Sequence, residues 1–310
     1  MPFATAGDGT QLHFTDWGDP GAQTLLLVHG FAASQTMWNN QIPAFLDAGL
    51  RCVTFDRRGH GRSDVPGRGY DLDTLASDIA AVAGYLDLND AVLVGHSLGG
   101  AEAVRYLSAH ADGRIAGLIL SAPSVPMLRS APGNPDGVPP DVIALGRQAL
   151  RDDVGAAIQA FTTEAFLGPG HTISPLLADA ARRQFADLPL QVLLATYDTN
   201  AAVDLRADLG SIRVPALIIH GDADQNNPLE LTSRRAAQLM PDVRLLVLEG
   251  AGHGLFRSEA QRYATEIINF AATVPAILQG PHEARLASPD QGPLTHSTNL
   301  SRTVSWLSKA

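Results

Sequence analysis

Residues 91–100 read Ala-Val-Leu-Val-Gly-His-Ser-Leu-Gly-Gly, an apolar run that ends in a Gly-x-Ser-x-Gly motif. The apolar run is typical of a buried strand, and the stretch Leu98–Ala109 that follows at once predicts a helix. A serine on so sharp a strand-to-helix turn projects its hydroxyl into a cleft, with the amides of the helix start close by. The flanking Gly95 and Gly99 fit such a turn, because a side chain there would collide with neighbouring backbone. Ser97 is therefore the candidate nucleophile.

Outward from this motif, short apolar runs alternate with helical stretches along most of the chain. The predicted strands are Leu25–His29, Cys52–Asp56, Ala91–His96, Gly117–Ala122, Ala216–His220 and Arg244–Glu249. These runs are continuously apolar, which is typical of strands covered on both faces in a parallel sheet. Between them, Thr74–Leu88 carries apolar residues three and four apart, as a helix does. The pattern predicts an α/β fold with a mostly parallel sheet and helices on both faces.

The alternation stops between about Pro126 and Ile212. Met127–Pro140 is rich in proline and glycine and is predicted to be an exposed excursion. Four helical stretches follow, near Asp141–Asp152, Val154–Phe166, Pro175–Leu188 and Gln191–Val203. An all-helical insertion in a parallel-sheet chain is predicted to cap the sheet edge where ligands bind, and its many apolar residues predict an apolar pocket. We assign residues 1–126 and 213–273 to the core, 127–212 to the cap and 274–310 to a tail.

Composition narrows the class of protein. The chain has 310 residues, 45% of them hydrophobic, which is enough for a large core and excludes wholesale disorder. Its net charge of −10 disfavours nucleic acid and anionic membranes as partners. Met1–Thr10 lacks the features of a secretory signal, so a cytoplasmic protein is expected. The single cysteine, Cys52, lies in an apolar run and is expected to be packing. A homo-oligomer is left open.

Two further loops stand where acyl-transfer chemistry needs them. His29-Gly30-Phe31 follows the first predicted buried strand, so the Phe31 amide, together with that of Leu98, can form an oxyanion hole. A merely packed turn is the alternative. His253 lies between glycines after the last predicted strand, a setting poorly explained by core packing, and is the candidate general base.

The acid that would orient the base is ambiguous from the residues alone. Asp222 and Asp224 both follow the predicted strand Ala216–His220, and either carboxylate can hold the imidazole tautomer and stabilise its cation. Both can also be solvated loop acids. The remaining histidines are scattered and form no evident ligand cluster, so neither a metal nor an organic cofactor is expected.

These segments resemble the α/β-hydrolase superfamily and, within it, the cofactor-free haloperoxidase and aryl-esterase branch. The resemblance covers about Pro2 to Ala272 and is carried by Asp56–Ser63, Gly95–Gly100, Val214–Pro228 and Gly250–Phe256. It implies that Asp224, the second acid of the Gly-Asp-x-Asp pattern, is the partner of His253, and that the loop Asp56–Gly59 is structural. It also implies the chain order Ser, Asp, His.

Two positions depart from this branch. Members that perhydrolyse well usually carry Trp after His-Gly and Met after the nucleophile, where this chain has Phe31 and Leu98. The expected function is therefore a serine hydrolase that cleaves a carboxylic ester or lactone, bulky or macrocyclic ones included, through an acyl-enzyme. The alternatives are a C–C bond hydrolase of a diketone-like substrate, a perhydrolase or haloperoxidase, and a low-turnover ligand receptor. Ser97 rules out the dehalogenase and epoxide hydrolase relatives, which need an acid at that position.

Overall fold

The computed structural model describes residues 2–110, 112–161 and 164–274. Its strands are β1 (Phe3–Thr5), β2 (Gln11–Trp17), β3 (Thr24–Val28), β4 (Arg51–Phe55), β5 (Ala91–His96), β6 (Ile115–Ser121), β7 (Ala216–Gly221) and β8 (Val243–Leu248). They form one sheet in the order β1-β2-β4-β3-β5-β6-β7-β8. The pairs β1–β2 and β2–β4 are antiparallel, and every other neighbouring pair is parallel.

Helices connect these strands. They are α1 (Ile42–Asp47), α2 (Leu72–Tyr85), α3 (Leu98–His110), α4 (Pro140–Asp152), α5 (Val154–Phe161), α6 (Glu164–Leu167), α7 (Pro175–Ala186), α8 (Leu190–Ala202), α9 (Arg206–Leu209), α10 (Ser233–Leu239), α11 (Leu255–Ser258) and α12 (Ala260–Thr273). A 3₁₀ helix, Gln35–Asn40, precedes α1. None of the helices in the described part of the chain is long and apolar enough to cross a membrane.

The sheet is apolar on both faces because helices cover both. Successive side chains of a strand point to opposite faces, so β3 sends Leu26 and Val28 into a cluster with α2 and α3. Leu25 and Leu27 enter a second cluster, shared with α1 and α12. β3 carries an uninterrupted apolar run because both of its faces are buried. The predicted α/β fold is confirmed.

The antiparallel edge of the sheet was not anticipated. β1 is only three residues long, and β2 mixes polar and apolar residues over Gln11–Trp17, so neither gives the uninterrupted apolar signal of the inner strands. The buried Cys52 packs in the second cluster, and burial raises the pKa of its thiol to about 12.

Helices α4 to α9 lie between β6 and β7, within the segment predicted to be the cap. The helix predicted over Val154–Phe166 is helical in both of its described parts, α5 and α6, and residues 162 and 163 lie outside the described ranges. The exposed excursion predicted for Met127–Pro140 is wrong in part, since Met127 and Leu128 are buried. The side-chain amide of Asn134 causes this, because it donates to the carbonyls of Met127 (3.3 Å) and Arg129 (2.7 Å) and folds the segment back.

The domain boundaries stay a prediction. Val274, assigned to the start of the tail, is buried in the second cluster and contacts the backbone of β6 near Gly117. The rest of the predicted tail, residues 275–310, lies outside the described residues.

Candidate active site

Ser97 occupies the turn between β5 and α3, which begins at the next residue. Its φ of +54° lies in the left-handed region, which costs a non-glycine residue about 1–3 kcal/mol. Backbone hydrogen bonds hold the turn in place: the Ser97 amide donates to the Ser121 carbonyl at 2.9 Å, and the Ser97 carbonyl accepts from the amides of Gly100 (2.9 Å) and Ser124 (3.2 Å). The residue is 5% exposed. Such a strained turn is the expected setting for a nucleophile.

The turn is possible because backbone segments meet there without side chains between them. A Cβ atom on Gly99 would lie 2.7 Å from the Val28 carbonyl oxygen of β3, and one on Gly95 would lie 2.7 Å from the Gly100 Cα. Both distances are well below van der Waals contact, so these two positions require glycine. The first turn of α3 is thereby held against β3 and β5, as the sequence predicts.

The loop after β3 approaches the serine directly. A Cβ atom on Gly30 would lie 3.3 Å from the Ser97 Cβ. The Arg57 guanidinium fixes this loop by donating to the carbonyls of His29 (2.7 Å) and Gly30 (3.0 Å). In a trans peptide the carbonyl and the next N–H point in opposite directions, so binding the Gly30 carbonyl turns the Phe31 amide away from Arg57.

The two amides expected to form an oxyanion hole are available. Within residues 2–110, 112–161 and 164–274, neither the Phe31 nor the Leu98 amide donates a hydrogen bond to another group. Leu98 is the first residue of α3, where amides have no partner inside the helix. The Phe31 side chain packs edge-on against Phe185 of α7 at 5.6 Å and so ties this loop to the predicted cap. Two free amides beside Ser97 are the arrangement that an oxyanion requires.

The Arg57 side chain, which fixes the loop after β3, is itself held in place by a buried ion pair. Arg57 Nε donates to Glu102 Oε1 of α3 at 2.6 Å, and both side chains are 1% exposed. Burial raises the pKa of the Glu102 carboxyl, and the Arg57 charge opposes that rise. His29 Nε2 accepts from the Arg57 amide at 2.9 Å. Burial and then Arg57 lower the pKa of His29, so its imidazole stays neutral. The resemblance implies that the loop Asp56–Gly59 is structural. In the structure, Arg57 of this loop binds the carbonyls of His29 and Gly30 and so fixes the loop that carries Phe31.

The structure brings His253 and Asp224 together and sets Asp222 apart. His253 Nδ1 donates to Asp224 Oδ2 at 2.8 Å, which leaves Nε2 as the free ring nitrogen. Asp224 Oδ1 accepts from the amides of Asn226 (2.8 Å) and Asn227 (2.9 Å). The exposed Asp222 instead accepts from the Gly250 amide at 2.7 Å. Of the two candidate acids, Asp224 is therefore the one in contact with the imidazole.

The electrostatics of Asp224 favour its ionised form. Burial raises the pKa of this carboxyl, but His253 and His220 lower it by more, so the pKa lies below its ordinary value. His220 Nε2 donates to the Asn227 carbonyl at 2.8 Å and lies 3.2 Å from Asp224 Oδ2. An ionised Asp224 holds His253 in the tautomer with a proton on Nδ1 and stabilises the imidazolium that forms when Nε2 takes a proton. The sequence does not indicate the contact between His220 and Asp224, because that contact depends on the conformation of the loop after β7.

His96 lies under the candidate base. Its ring centroid is 4.8 Å from that of His253, and its Nδ1 is 3.0 Å from Ser121 Oγ. Burial, and then the neighbouring His253 charge, lower the pKa of His96 well below its ordinary value. His96 is thus a neutral packing partner rather than a competing base.

One cavity of about 310 Å³ joins these groups: Ser97 and His253 both line it. Other lining residues come from the predicted cap and are mostly apolar, including Leu128, Val138, Ile143, Phe185 and Tyr197. No Asp or Glu is among the described residues that line it. The polar lining residues that were not anticipated include Asn200 and Arg257. The Asn200 Oδ1 atom is buried and has no hydrogen-bond partner in the described part of the chain.

Comparison with known proteins places the chain among enzymes of one fold. Residues 23–260 match the family described as the alpha/beta hydrolase fold. A non-heme chloroperoxidase of Kitasatospora aureofaciens is 33% identical over 278 residues, covering 87% of this chain and 99% of that protein. A bifunctional esterase/perhydrolase of Acinetobacter calcoaceticus is 32% identical over 277 residues, with the same coverage of both chains. Among solved structures, an esterase of Exiguobacterium antarcticum has a TM-score of 0.83 and 30% identity, covering 87% of this chain and 99% of its own.

Proposed function

The chain belongs to the alpha/beta hydrolase fold family, in the branch of non-heme haloperoxidases and esterases, and we propose that it is a serine hydrolase of carboxylic esters or lactones. The observation that carries the proposal is one cavity lined by both Ser97 and His253, with Asp224 bound to the far side of the imidazole. The free amides of Phe31 and Leu98 complete the set of groups that acyl transfer uses.

In the proposed reaction, Ser97 Oγ attacks the ester carbonyl while His253 Nε2 takes the hydroxyl proton. The Phe31 and Leu98 amides bind the oxyanion of the tetrahedral intermediate. Collapse of this intermediate breaks the C–O bond, and His253 returns the proton to the departing alcohol. Water then attacks the acyl-enzyme by the same route, with His253 taking one of its protons and giving it back to Ser97 Oγ as the acid leaves.

The cavity supports a substrate of modest size with an apolar body. Its volume of about 310 Å³ lies at the lower end of the range for small-molecule sites, and most of its lining is aliphatic or aromatic. An apolar lining favours aryl or medium-chain acyl groups, because burying them releases water from both surfaces. It favours smaller esters and lactones over macrocyclic ones.

A covalent serine probe combined with an ester panel tests the proposal. A fluorophosphonate should label the chain once, at Ser97, and the wild-type protein should turn over 4-nitrophenyl butyrate and a small lactone. Ser97→Ala should lose labelling and should lower kcat by several orders of magnitude, because triad members act as a unit. The melting temperature should change by no more than a few degrees.

The other outcomes distinguish the alternatives. Labelling of Ser97 without sustained product release would point to a ligand receptor. Cleavage of a diketone with no ester turnover would point to C–C hydrolysis. If Ser97→Ala kept its ester turnover, the nucleophile assignment would be wrong.

Perhydrolysis is a second candidate, because the similar proteins above are named a chloroperoxidase and an esterase/perhydrolase. It uses the same acyl-enzyme, with hydrogen peroxide in place of water as the attacking nucleophile and a peracid as product. Supplying hydrogen peroxide, acetate and bromide gives its rate, because the peracid oxidises bromide to hypobromite, which then brominates monochlorodimedone. We expect ester hydrolysis to exceed it, since Phe31 and Leu98 stand where good perhydrolases of this branch carry Trp and Met.

A further inference from the structure

Arg257 places a positive charge at the candidate active site. It lies on α11, four residues after His253, and lines the same cavity as Ser97. The side chain is half-buried. It contacts the ring of Phe256, with 5.6 Å between the guanidinium carbon and the ring centroid.

This charge has no counterion in the described part of the chain. The Arg257 guanidinium forms no ion pair and no hydrogen bond with a described residue, and no described carboxylate lines the cavity. The nearby Glu259 lies 3.7 Å from His171 instead. Burial lowers the pKa of Arg257, although an arginine remains charged at any ordinary pH. Burying a charge without a partner is costly, so a ligand that supplies the partner gains the difference.

The two most deeply buried arginines of the described chain behave differently. Arg57 contacts Glu102 at 2.6 Å, and Arg58 contacts Asp78 at 2.6 Å and Asp8 at 2.8 Å. These pairs satisfy the guanidinium within the protein. Arg257 lines the cavity, and its donors have no partner among the described residues, which is the arrangement of a binding residue rather than a structural one.

We propose that Arg257 binds a carboxylate on the substrate, so that the preferred substrates are esters or lactones that carry a free carboxylate a few atoms from the scissile carbonyl. The proposal rests on the serine hydrolase function of this cavity. A planar guanidinium fork matches the two oxygens of a carboxylate, and the surrounding apolar lining accepts the connecting chain. A local cation is needed for such substrates, because the net charge of −10 repels anions on average.

Matched pairs of ester substrates test the proposal. The first pair is mono-4-nitrophenyl glutarate and its methyl ester, which differ in the charge on the acyl chain. The second pair is the butyrate ester of 4-hydroxybenzoate and that of its methyl ester, which differ in the charge on the leaving alcohol. For each pair, the quantity measured is the ratio of kcat/KM for the anionic over the neutral substrate, in wild type, Arg257→Gln and Arg257→Lys.

We expect Arg257→Gln to lower this ratio by about 10- to 100-fold in one of the two pairs, as the loss of charge-assisted hydrogen bonds predicts. Arg257→Lys should keep part of the preference. Arg262→Gln removes the same charge from an exposed position of α12 and should leave the ratio unchanged. The responding pair tells whether the acyl or the alcohol side carries the carboxylate. Unchanged ratios in both pairs would overturn the proposal.

A binding measurement separates this proposal from the proposed hydrolase function. Glutaric acid mono-4-nitroanilide and the corresponding primary amide carry no ester bond, and calorimetry gives their Kd for wild type and Arg257→Gln. If no ester is cleaved but the acid binds at least 10-fold more tightly than the primary amide, and only with Arg257 present, the hydrolase function fails and the carboxylate site stands. If esters are cleaved while the acid and the primary amide bind equally, the carboxylate site fails and the hydrolase function stands.

Discussion

Replacing Arg57 with lysine tests whether the oxyanion hole is held open by a buried guanidinium. Arg57 contacts three groups in different directions: Glu102 Oε1 at 2.6 Å, the His29 carbonyl at 2.7 Å and the Gly30 carbonyl at 3.0 Å. A lysine ammonium is a single point without the planar fork. It can keep Glu102 as its counterion, but it cannot reach both carbonyls.

The expected loss follows from these contacts. A hydrogen bond to a charged group contributes about 1.5–3 kcal/mol, so losing at least one should lower the free energy of unfolding by about that amount. When the Gly30 carbonyl is released, the peptide between Gly30 and Phe31 can rotate. The Phe31 amide then leaves the position from which it would bind the oxyanion. Loss of one oxyanion donor lowers kcat by about 10²- to 10³-fold. We expect a fall in kcat of about 10²-fold, with KM within threefold, because the donor acts on the transition state.

The assay is hydrolysis of 4-nitrophenyl butyrate. Fluorophosphonate titration gives the concentration of active sites, so that unfolded protein does not lower the value obtained for kcat. Urea denaturation gives the stability of each variant. Acylation and deacylation both pass through an oxyanion, so both the burst rate and the steady-state rate should fall, a pattern that lower stability alone does not produce.

Arg58→Lys is the matched control. Arg58 is as buried as Arg57 and pairs with Asp78 and Asp8, and its guanidinium donates no hydrogen bond to the described loop residues 29–31. It should lose a comparable amount of stability and keep kcat within about threefold. Equal losses of kcat in the two variants, or an unchanged kcat in Arg57→Lys, would refute the positioning role.

Three shorter predictions concern the rest of the site. Asp224→Asn should lower kcat by about 10⁴-fold and Asp222→Asn by less than about threefold, measured on the same ester, since only the first carboxylate contacts the imidazole; the opposite ranking would exchange their roles. Because the pKa of Asp224 is lowered from 3.8, its contribution to stability is fully present above about pH 4 and is lost as the pH falls further, so urea titrations between pH 5 and 3 should show a decline that Asp224→Asn lacks. Gly99→Ala should destabilise the fold by about 1–3 kcal/mol, whereas Gly84→Ala in α2, with open space around its Cβ, should be neutral or stabilising; equal urea midpoints would contradict the close approach at Gly99.

The sequence predicts those parts of the fold whose signals are local. β3 and β5 are buried on both faces, so each one's position is visible as an unbroken apolar run. Ser97 is identified by a motif that needs only its own strand and helix. The short edge strand β1 and the mixed strand β2 lack such a signal, because their places in the sheet depend on pairing with one another and with β4.

The two acids after β7 show where local patterns stop being sufficient. Asp222 and Asp224 are two residues apart in one loop, and their residue types and neighbours do not separate them. Only the resemblance to a known branch favoured Asp224. The fold distinguishes them through backbone amides: those of Asn226 and Asn227 turn Asp224 toward His253, while the Gly250 amide holds Asp222 at the surface. The choice therefore depends on loop conformation rather than on composition.

The sequence alone does not indicate a role for Arg257. Its spacing of four from His253 is visible along the chain, yet many arginines lie near a histidine without any role. What distinguishes it is that its guanidinium forms no ion pair with any carboxylate whose position the structure describes, which only the assembled fold determines. The chain has 32 acidic residues against 22 basic ones, so acids are in excess and buried Arg57 and Arg58 both have partners. The free charge of Arg257 thus reflects its position in the cavity wall and not a shortage of partners, and for that reason it points to a ligand.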